Sequence, residues 1–146
     1  MIAIFDIDGV LADNSYTQRL DCTKPAQAAK FAREIETVKP LVSGVVLIKA
    51  IAEAGYKVFI MTARSAELRL ITENWLDDNL LPRENVFMRP LGNQDTPAAL
   101  KEKQLHELAA RFLPADLSVE NIIAFEDDKT VAEMYNRHGI KVFMPL

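Results

Sequence analysis

The chain has 146 residues, the size of one ordinary domain built on a single core. Its residues are 49% hydrophobic and 26% charged, the balance of a soluble globular protein. With 17 basic against 21 acidic residues, a net charge of -4 argues against a strongly basic, nucleic-acid-coating surface, though not against local contact with a nucleic-acid end.

Ile2 to Phe5 is a short apolar run ended by acids and Gly9, the pattern of a buried parallel strand. Residues 12–39 are mixed and polar, with a helix predicted over Pro25 to Ile35. Pro40 is expected to open a helix whose apolar positions Leu41, Val45, Ile48 and Ala52 share one face, closed by Gly55. Lys57 to Met61 reads as a second strand. Leu68, Ile71, Trp75 and Leu76 mark the next amphipathic helix, with Trp75 in the core, and Asn85 to Met88 a third strand. Thr96-Pro97 has the form of a cap and first-turn proline, followed by the stripe Leu105, Leu108 and Phe112. Ile122 to Phe125 is a fourth strand. Thr130 and Glu133 have capping-box spacing ahead of a helix carrying Val131, Met134 and Tyr135 and stopped by Gly139; Ile140 to Phe143 is a fifth strand.

Strands alternating with helices imply right-handed crossovers and an α/β, three-layer α/β/α, Rossmann-like parallel sheet covered on both faces. We expect a single domain over residues 1–146, with residues 13–39 as a small cap or flap insert. Cys22, the only cysteine, permits no intrachain disulfide and fits a reducing compartment. The first residues lack a basic stretch and cleavage site, and no stretch approaches a membrane span, so the expected location is the cytoplasm.

In such a sheet, ligands bind beyond the carboxyl ends of the strands. Asp6, Asp8 and Gly9 follow the first strand, and Thr62 and Arg64 the second. Arg89 follows the third, and Glu126, Asp127 and Asp128 the fourth. Asp6 and Asp8, two apart in an extended segment, can project from the same side of the backbone. Two carboxylates held that close cannot both be comfortably ionised unless a cation neutralises them, and a set of hard oxygen donors suits Mg²⁺ better than zinc. Gly9 would allow a tight turn and close backbone approach to a bound phosphate.

The string Phe5-Asp6-Ile7-Asp8-Gly9-Val10-Leu11-Ala12-Asp13 resembles the first motif of the haloacid-dehalogenase superfamily of phosphatases. Ile60-Met61-Thr62-Ala63-Arg64 is similar to its second motif, Lys101 to the lysine of its third, and Phe125-Glu126-Asp127-Asp128-Lys129 to its fourth. Within that superfamily, residues 127–142, Asn74-Trp75-Leu76 and Met88-Arg89-Pro90 look like the phosphatase half of bacteriophage polynucleotide kinase and its small stand-alone phage relatives. Val10 supplies no hydroxyl where the superfamily often has threonine. Pro97, Ala98 and Ala99 replace the charged residues that precede the lysine in phage relatives.

The resemblance implies a Mg²⁺-dependent phosphomonoesterase that removes a 3′-phosphate from a nucleic-acid end or nucleotide. Asp6 would be the nucleophile and Asp8 the general acid and base. Asp6, the Asp8 carbonyl, Asp127 and Asp128 would hold the metal, while Thr62 and Lys101 would bind phosphate oxygens and balance charge. Lys103 is the fallback lysine. Gly9, Arg64, Arg89 and, in the insert, Arg19 are candidate substrate-binding residues. His106 and His138 are expected in solvated or helix-terminal roles. A separate kinase or ligase would be the functional companion. The rival enzyme is a small-molecule phosphatase such as a nucleoside 5′-monophosphatase. A remote, non-enzymatic rival is a phospho-receiver domain, whose phosphorylated aspartate would follow the third strand, where this chain has Arg89-Pro90.

Overall fold

A computed structural model describes residues 1–15, 25–113 and 118–145. Arg19 and Cys22 lie outside the described residues. The elements, in chain order, are β1 (Ile2–Phe5), α1 (Pro25–Thr37), α2 (Val42–Glu53), β2 (Lys57–Ser65), α3 (Arg69–Asp78), β3 (Val86–Arg89), α4 (Pro97–Phe112), β4 (Ile122–Phe125), α5 (Lys129–Arg137) and β5 (Lys141–Phe143). Short 3₁₀ turns at Ala66–Leu68 and Val119–Asn121 lead into α3 and β4.

The five strands form one parallel sheet in the order β3-β2-β1-β4-β5. β1 is central, which is why its four residues are all apolar and all buried. Their alternation divides the core. Ala3 and Phe5 join Ile48 of α2 and Trp75 and Leu76 of α3 on one face. Ile2 and Ile4 join Leu105 and Leu108 of α4 and Val131, Met134 and Tyr135 of α5 on the other. The result is a Rossmann-like fold with helices on both faces of the sheet. α1 packs beside α3, and the Trp75 indole N–H donates to the Val38 carbonyl at 2.8 Å, so the end of the insert is tied to the helical layer.

Several element boundaries differ from the sequence expectation by a residue or more, and three of them have a clear local reason. The helix expected at Pro40 begins at Val42, because Leu41 donates its N–H to the Leu11 carbonyl at 2.8 Å, in a bridge to the loop after β1. β2 continues past Met61 to Ser65, since Ser65 pairs with Arg89 of β3 beyond an irregularity in register. Thr62 and Arg64 therefore belong to the strand itself. α5 starts one residue after Asp128, not at Thr130; Asp128 Oδ1 accepts from the Thr130 and Val131 N–H groups at 2.7 and 3.4 Å and so occupies the cap.

Candidate active site

The strand order reverses direction on either side of β1, and at this switch point the carboxyl ends of β2, β1 and β4 lie side by side. Asp6 continues the β1 ladder, donating its N–H to the Phe125 carbonyl at 3.0 Å, so its side chain emerges at the rim of the sheet. Its Oδ1 accepts from the Ile7 N–H at 2.8 Å. The chain then folds back on itself, with Val10, Leu11 and Ala12 all donating to the Ile7 carbonyl. Gly9 has φ +85°, and a Cβ there would stand 1.9 Å from Asp127 Oδ2. The positive φ favours glycine at this position, and a Cβ there would displace the Asp127 carboxylate that lies against it.

Asp127 is thereby brought over the loop that follows β1. Carboxylate oxygens of Asp6, Glu126 and Asp127 lie within 4.8 Å of one another. One cation enters among them from α4. Lys101, 2% exposed in the second turn of α4, places Nζ 3.0 Å from Asp6 Oδ1 and 2.6 Å from Glu126 Oε2. Thr96 caps that helix by accepting from the Ala99 N–H at 3.3 Å, and the resulting register turns Lys101, Gln104, Leu105 and Leu108 inward. Lys103 points outward to Asp95 at 2.7 Å.

Three neighbouring carboxylates against one ammonium, which pairs with Asp6 and Glu126, leave an excess of negative charge. Burial pushes the Asp6 carboxyl well above its ordinary range; Lys101 opposes that and Glu126 adds to it. Burial, with Asp6 as the next cause, raises Asp127 to about 6. Burial lowers Lys101, but Asp6 and Glu126 outweigh it and drive it upward, so it stays charged. All the available donors are hard oxygens, with no His or Cys among them, which fits Mg²⁺ in size and type.

Glu126 did not stand out as a site residue in the sequence beyond its place in the acidic string. It is 1% exposed, and both its oxygens are engaged. Oε2 meets Lys101, and Oε1 accepts from the Asp127 and Asp128 N–H groups at 3.2 Å each. It orders the acidic loop, leaving Asp6 and Asp127 as the more accessible donors. Asn14 likewise carries no local signal of a site role, yet its amide donates to Asp127 Oδ2 at 2.7 Å. Asp128, expected at the metal, has its Oδ1 on the α5 cap and on the Thr130 hydroxyl at 2.7 Å. Burial opposes ionisation of Asp128, but these Thr130 contacts prevail and hold its carboxyl below the usual range.

The remaining candidates fall as follows. Thr62 is fully buried beside the site; its hydroxyl oxygen accepts from the Arg64 N–H at 3.2 Å, and its carbonyl from Gln104 Nε2 at 3.4 Å. Arg64 is 3% exposed and grips Asp8, Nη2 to Oδ1 at 2.7 Å and Nε to Oδ2 at 2.9 Å. Arg89 donates to the Ala63 and Asp95 carbonyls and to Asn93 Oδ1, clasping the end of β2 to the loop before α4. Both guanidinium groups, expected on substrate, are thus engaged by the protein's own acceptors. His138 pairs with Glu102 at 2.6 Å and packs edge-on against His106, and neither ring belongs to the group of Asp6, Glu126 and Asp127. Arg19 lies outside the described residues.

This arrangement, three strand-end motifs and the α4 lysine around Asp6, agrees with a family comparison. The sequence matches the family described as "Polynucleotide kinase PNKP phosphatase domain" over residues 1–144. The chain belongs to this family of haloacid-dehalogenase-type phosphatases. The phosphatase is similar in fold to a chain of the Pnkp1/Rnl/Hen1 RNA repair complex, with a TM-score of 0.74 and 21% identity over 99% of the present chain and 42% of that one. It thus spans less than half the length of that relative. A haloacid-dehalogenase family hydrolase from Deinococcus radiodurans, solved with phosphate and sodium, gives 0.66 and 15% over 98% and 79%. A D,D-heptose bisphosphate phosphatase from B. bronchiseptica, solved with magnesium and phosphate, gives 0.62 and 18% over 99% and 80%. No curated protein matches the chain. Among the described residues, no helix of the phosphatase is long and apolar enough to cross a membrane.

Proposed function

We propose that this phosphatase is a Mg²⁺-dependent phosphomonoesterase that works through an aspartyl-phosphate intermediate and removes 3′-phosphate from nucleic-acid ends or nucleotides. The observation that carries this reading is the buried Asp6 carboxylate held 3.0 Å from Lys101 and within 4.8 Å of the Asp127 ligand oxygen. Asp6 and Asp127 side chains, with the Asp8 carbonyl, would hold the metal, and Asp128 would act on it through the α5 cap or a bridging water. When bound, Mg²⁺ neutralises the facing carboxylate and phosphate charges and stabilises the transition state.

Asp6 attacks phosphorus in line with the leaving oxygen, so the Asp6 O–P bond forms as the ester P–O bond breaks. Asp8 gives its proton to the departing alkoxide, then takes one from the water that forms the new O–P bond while the Asp6–phosphorus bond breaks. Lys101 is positioned to balance charge on Asp6 and the transferring phosphoryl group, and Thr62 to donate its hydroxyl proton to a phosphate oxygen. The short insert over residues 13–39, which includes α1, suits the admission of a polymer end, with Arg19 as a candidate contact within it. Family membership supports the nucleic-acid substrate, and the likeness to a chain of an RNA repair complex supports pairing with a separate kinase or ligase. The lone cysteine supports a cytoplasmic setting.

Asp6→Asn tests the covalent scheme, since it keeps the side-chain shape and removes the nucleophile. Turnover of a 3′-phosphorylated oligonucleotide with Mg²⁺ is expected to fall at least about 10³-fold; near wild-type turnover would eliminate the aspartyl phosphate. Activity confined to nucleoside 5′-monophosphates would leave the chemistry standing and replace the substrate.

A further inference from the structure

We infer that Arg64 is a positioning residue for Asp8: the guanidinium fork fixes the carboxylate that serves the leaving oxygen and does not contact the substrate's further phosphates. The inference rests on the proposed role of Asp8 as proton donor and deepens it by naming what aims that group. Arg64 lies near the end of β2, two residues past Thr62, and its side chain reaches the loop that follows β1. Arg64 meets Asp8 in a side-on, two-bond pair at 2.7 and 2.9 Å, which sets the plane of the carboxylate as well as its distance. The pair spans 56 residues of sequence and joins β2 to the β1 loop.

The fork is itself anchored. Arg64 Nη1 donates to the Thr72 hydroxyl oxygen on α3 at 3.4 Å, and Thr72 is fully buried. The Arg64 N–H is held by Thr62 Oγ1 at 3.2 Å, so the residue proposed to bind phosphate and the one aiming Asp8 are locked in one segment. An arginine 3% exposed and committed to Asp8 and Thr72 would have to abandon those partners to reach a polymer backbone. Lysine retains the charge but lacks the planar fork and cannot reproduce the orientation.

Leaving-group dependence separates the alternatives. The alkoxide released from a nucleoside 3′-phosphate needs a proton as it departs, whereas p-nitrophenolate does not. Arg64→Lys is therefore expected to lower kcat/KM on the order of 10²-fold for the nucleoside 3′-phosphate. For p-nitrophenyl phosphate the loss should stay below about fivefold, because that leaving group draws little on general-acid help. Thr72→Val, which loosens the anchor and keeps the fork, should show the same pattern at a few-fold level. Adding Arg64→Lys to Asp8→Asn should cost almost nothing further, because both act through one group.

Equal losses on the two esters would overturn the inference in favour of a general structural or phosphate-binding role. A loss that grows from mononucleotide to oligonucleotide would overturn it in favour of a polymer contact. Asp8→Asn alone distinguishes failure of the underlying reading: if it lowers kcat/KM equally for both esters, Asp8 is not the proton donor, whatever Arg64 does.

Discussion

Lys101 shows how much of this site depends on one buried charge. It stands between Asp6 and Glu126 with 2% of its surface exposed, and no other cation is bonded to either carboxylate among the described residues. Removing one member of a buried ionic group leaves its partners unpaired in low dielectric, at a cost of about 3–5 kcal/mol. Lys101→Met is accordingly expected to lower the metal-free unfolding free energy by about that much in urea titrations. Turnover should fall as well, by about 10²-fold or more, from the loss of charge balance on the transferring phosphoryl group. A metal-free protein of unchanged stability would mean that Glu126 and Asp6 do not depend on the lysine. Gly9 is the complementary case, where the essential feature is the missing Cβ. Gly9→Ala places an atom 1.9 Å from Asp127 Oδ2 and strains a backbone at φ +85°, so Asp127 must move. Its expected signature is a weakened Mg²⁺ affinity in calorimetry, together with a stability loss of about 1–3 kcal/mol.

At the scale of elements, helix starts decide which side chains serve the site. An aspartate just ahead of a helix suits both a cap and a metal ligand, and the sequence 127–130 offers two aspartates for the two jobs. The structure gives the cap to Asp128, while Asp127 faces Asp6. Asp128→Ala should therefore destabilise the protein by about 1 kcal/mol through the frayed α5 terminus. Its Mg²⁺ dissociation constant should rise by no more than about 10- to 100-fold, as expected of a group outside direct coordination. A much larger loss of affinity with unchanged stability would reverse the assignment of the two acids. The apolar stripe and the Thr96-Pro97 start of α4 were readable in the sequence, and they suffice to put Lys101 inward and Lys103 outward. The extension of β2 to Ser65 was not readable, because it depends on pairing with Arg89 of a different strand. The start of α2 at Val42 escaped for a similar reason, since it is set by a bond to Leu11.

At the scale of the molecule, metal binding and stability are linked through the acids at the switch point. Asp127 has its carboxyl raised to about 6 in the folded, metal-free protein. A raised acid favours the folded state while protonated, so its contribution is complete below the unfolded value near 3.8 and is lost as pH rises through about 6. Asp6 shifts in the same direction and adds to the effect. The metal-free protein should thus become less stable across this window. Mg²⁺, which competes with protons for the same oxygens, should stabilise little at about pH 5 and fully by about pH 7.5. Thermal unfolding across pH, with and without the ion, checks this; a Mg²⁺ effect independent of pH would exclude Asp127 as a ligand.

Residue order alone determined the alternating strands and helices, the parallel sheet, and the placement of acids at strand ends, because these follow from short-range periodicity and from caps. The partnerships were decided by tertiary structure. Glu126 joins Lys101, Arg64 turns to Asp8, and Asp127 rests against Gly9 only because strand order and helix register bring distant segments within a few ångströms. A charged side chain carries no local mark of the partner it will meet, since at burial the choice is governed by the charge and space that other elements supply.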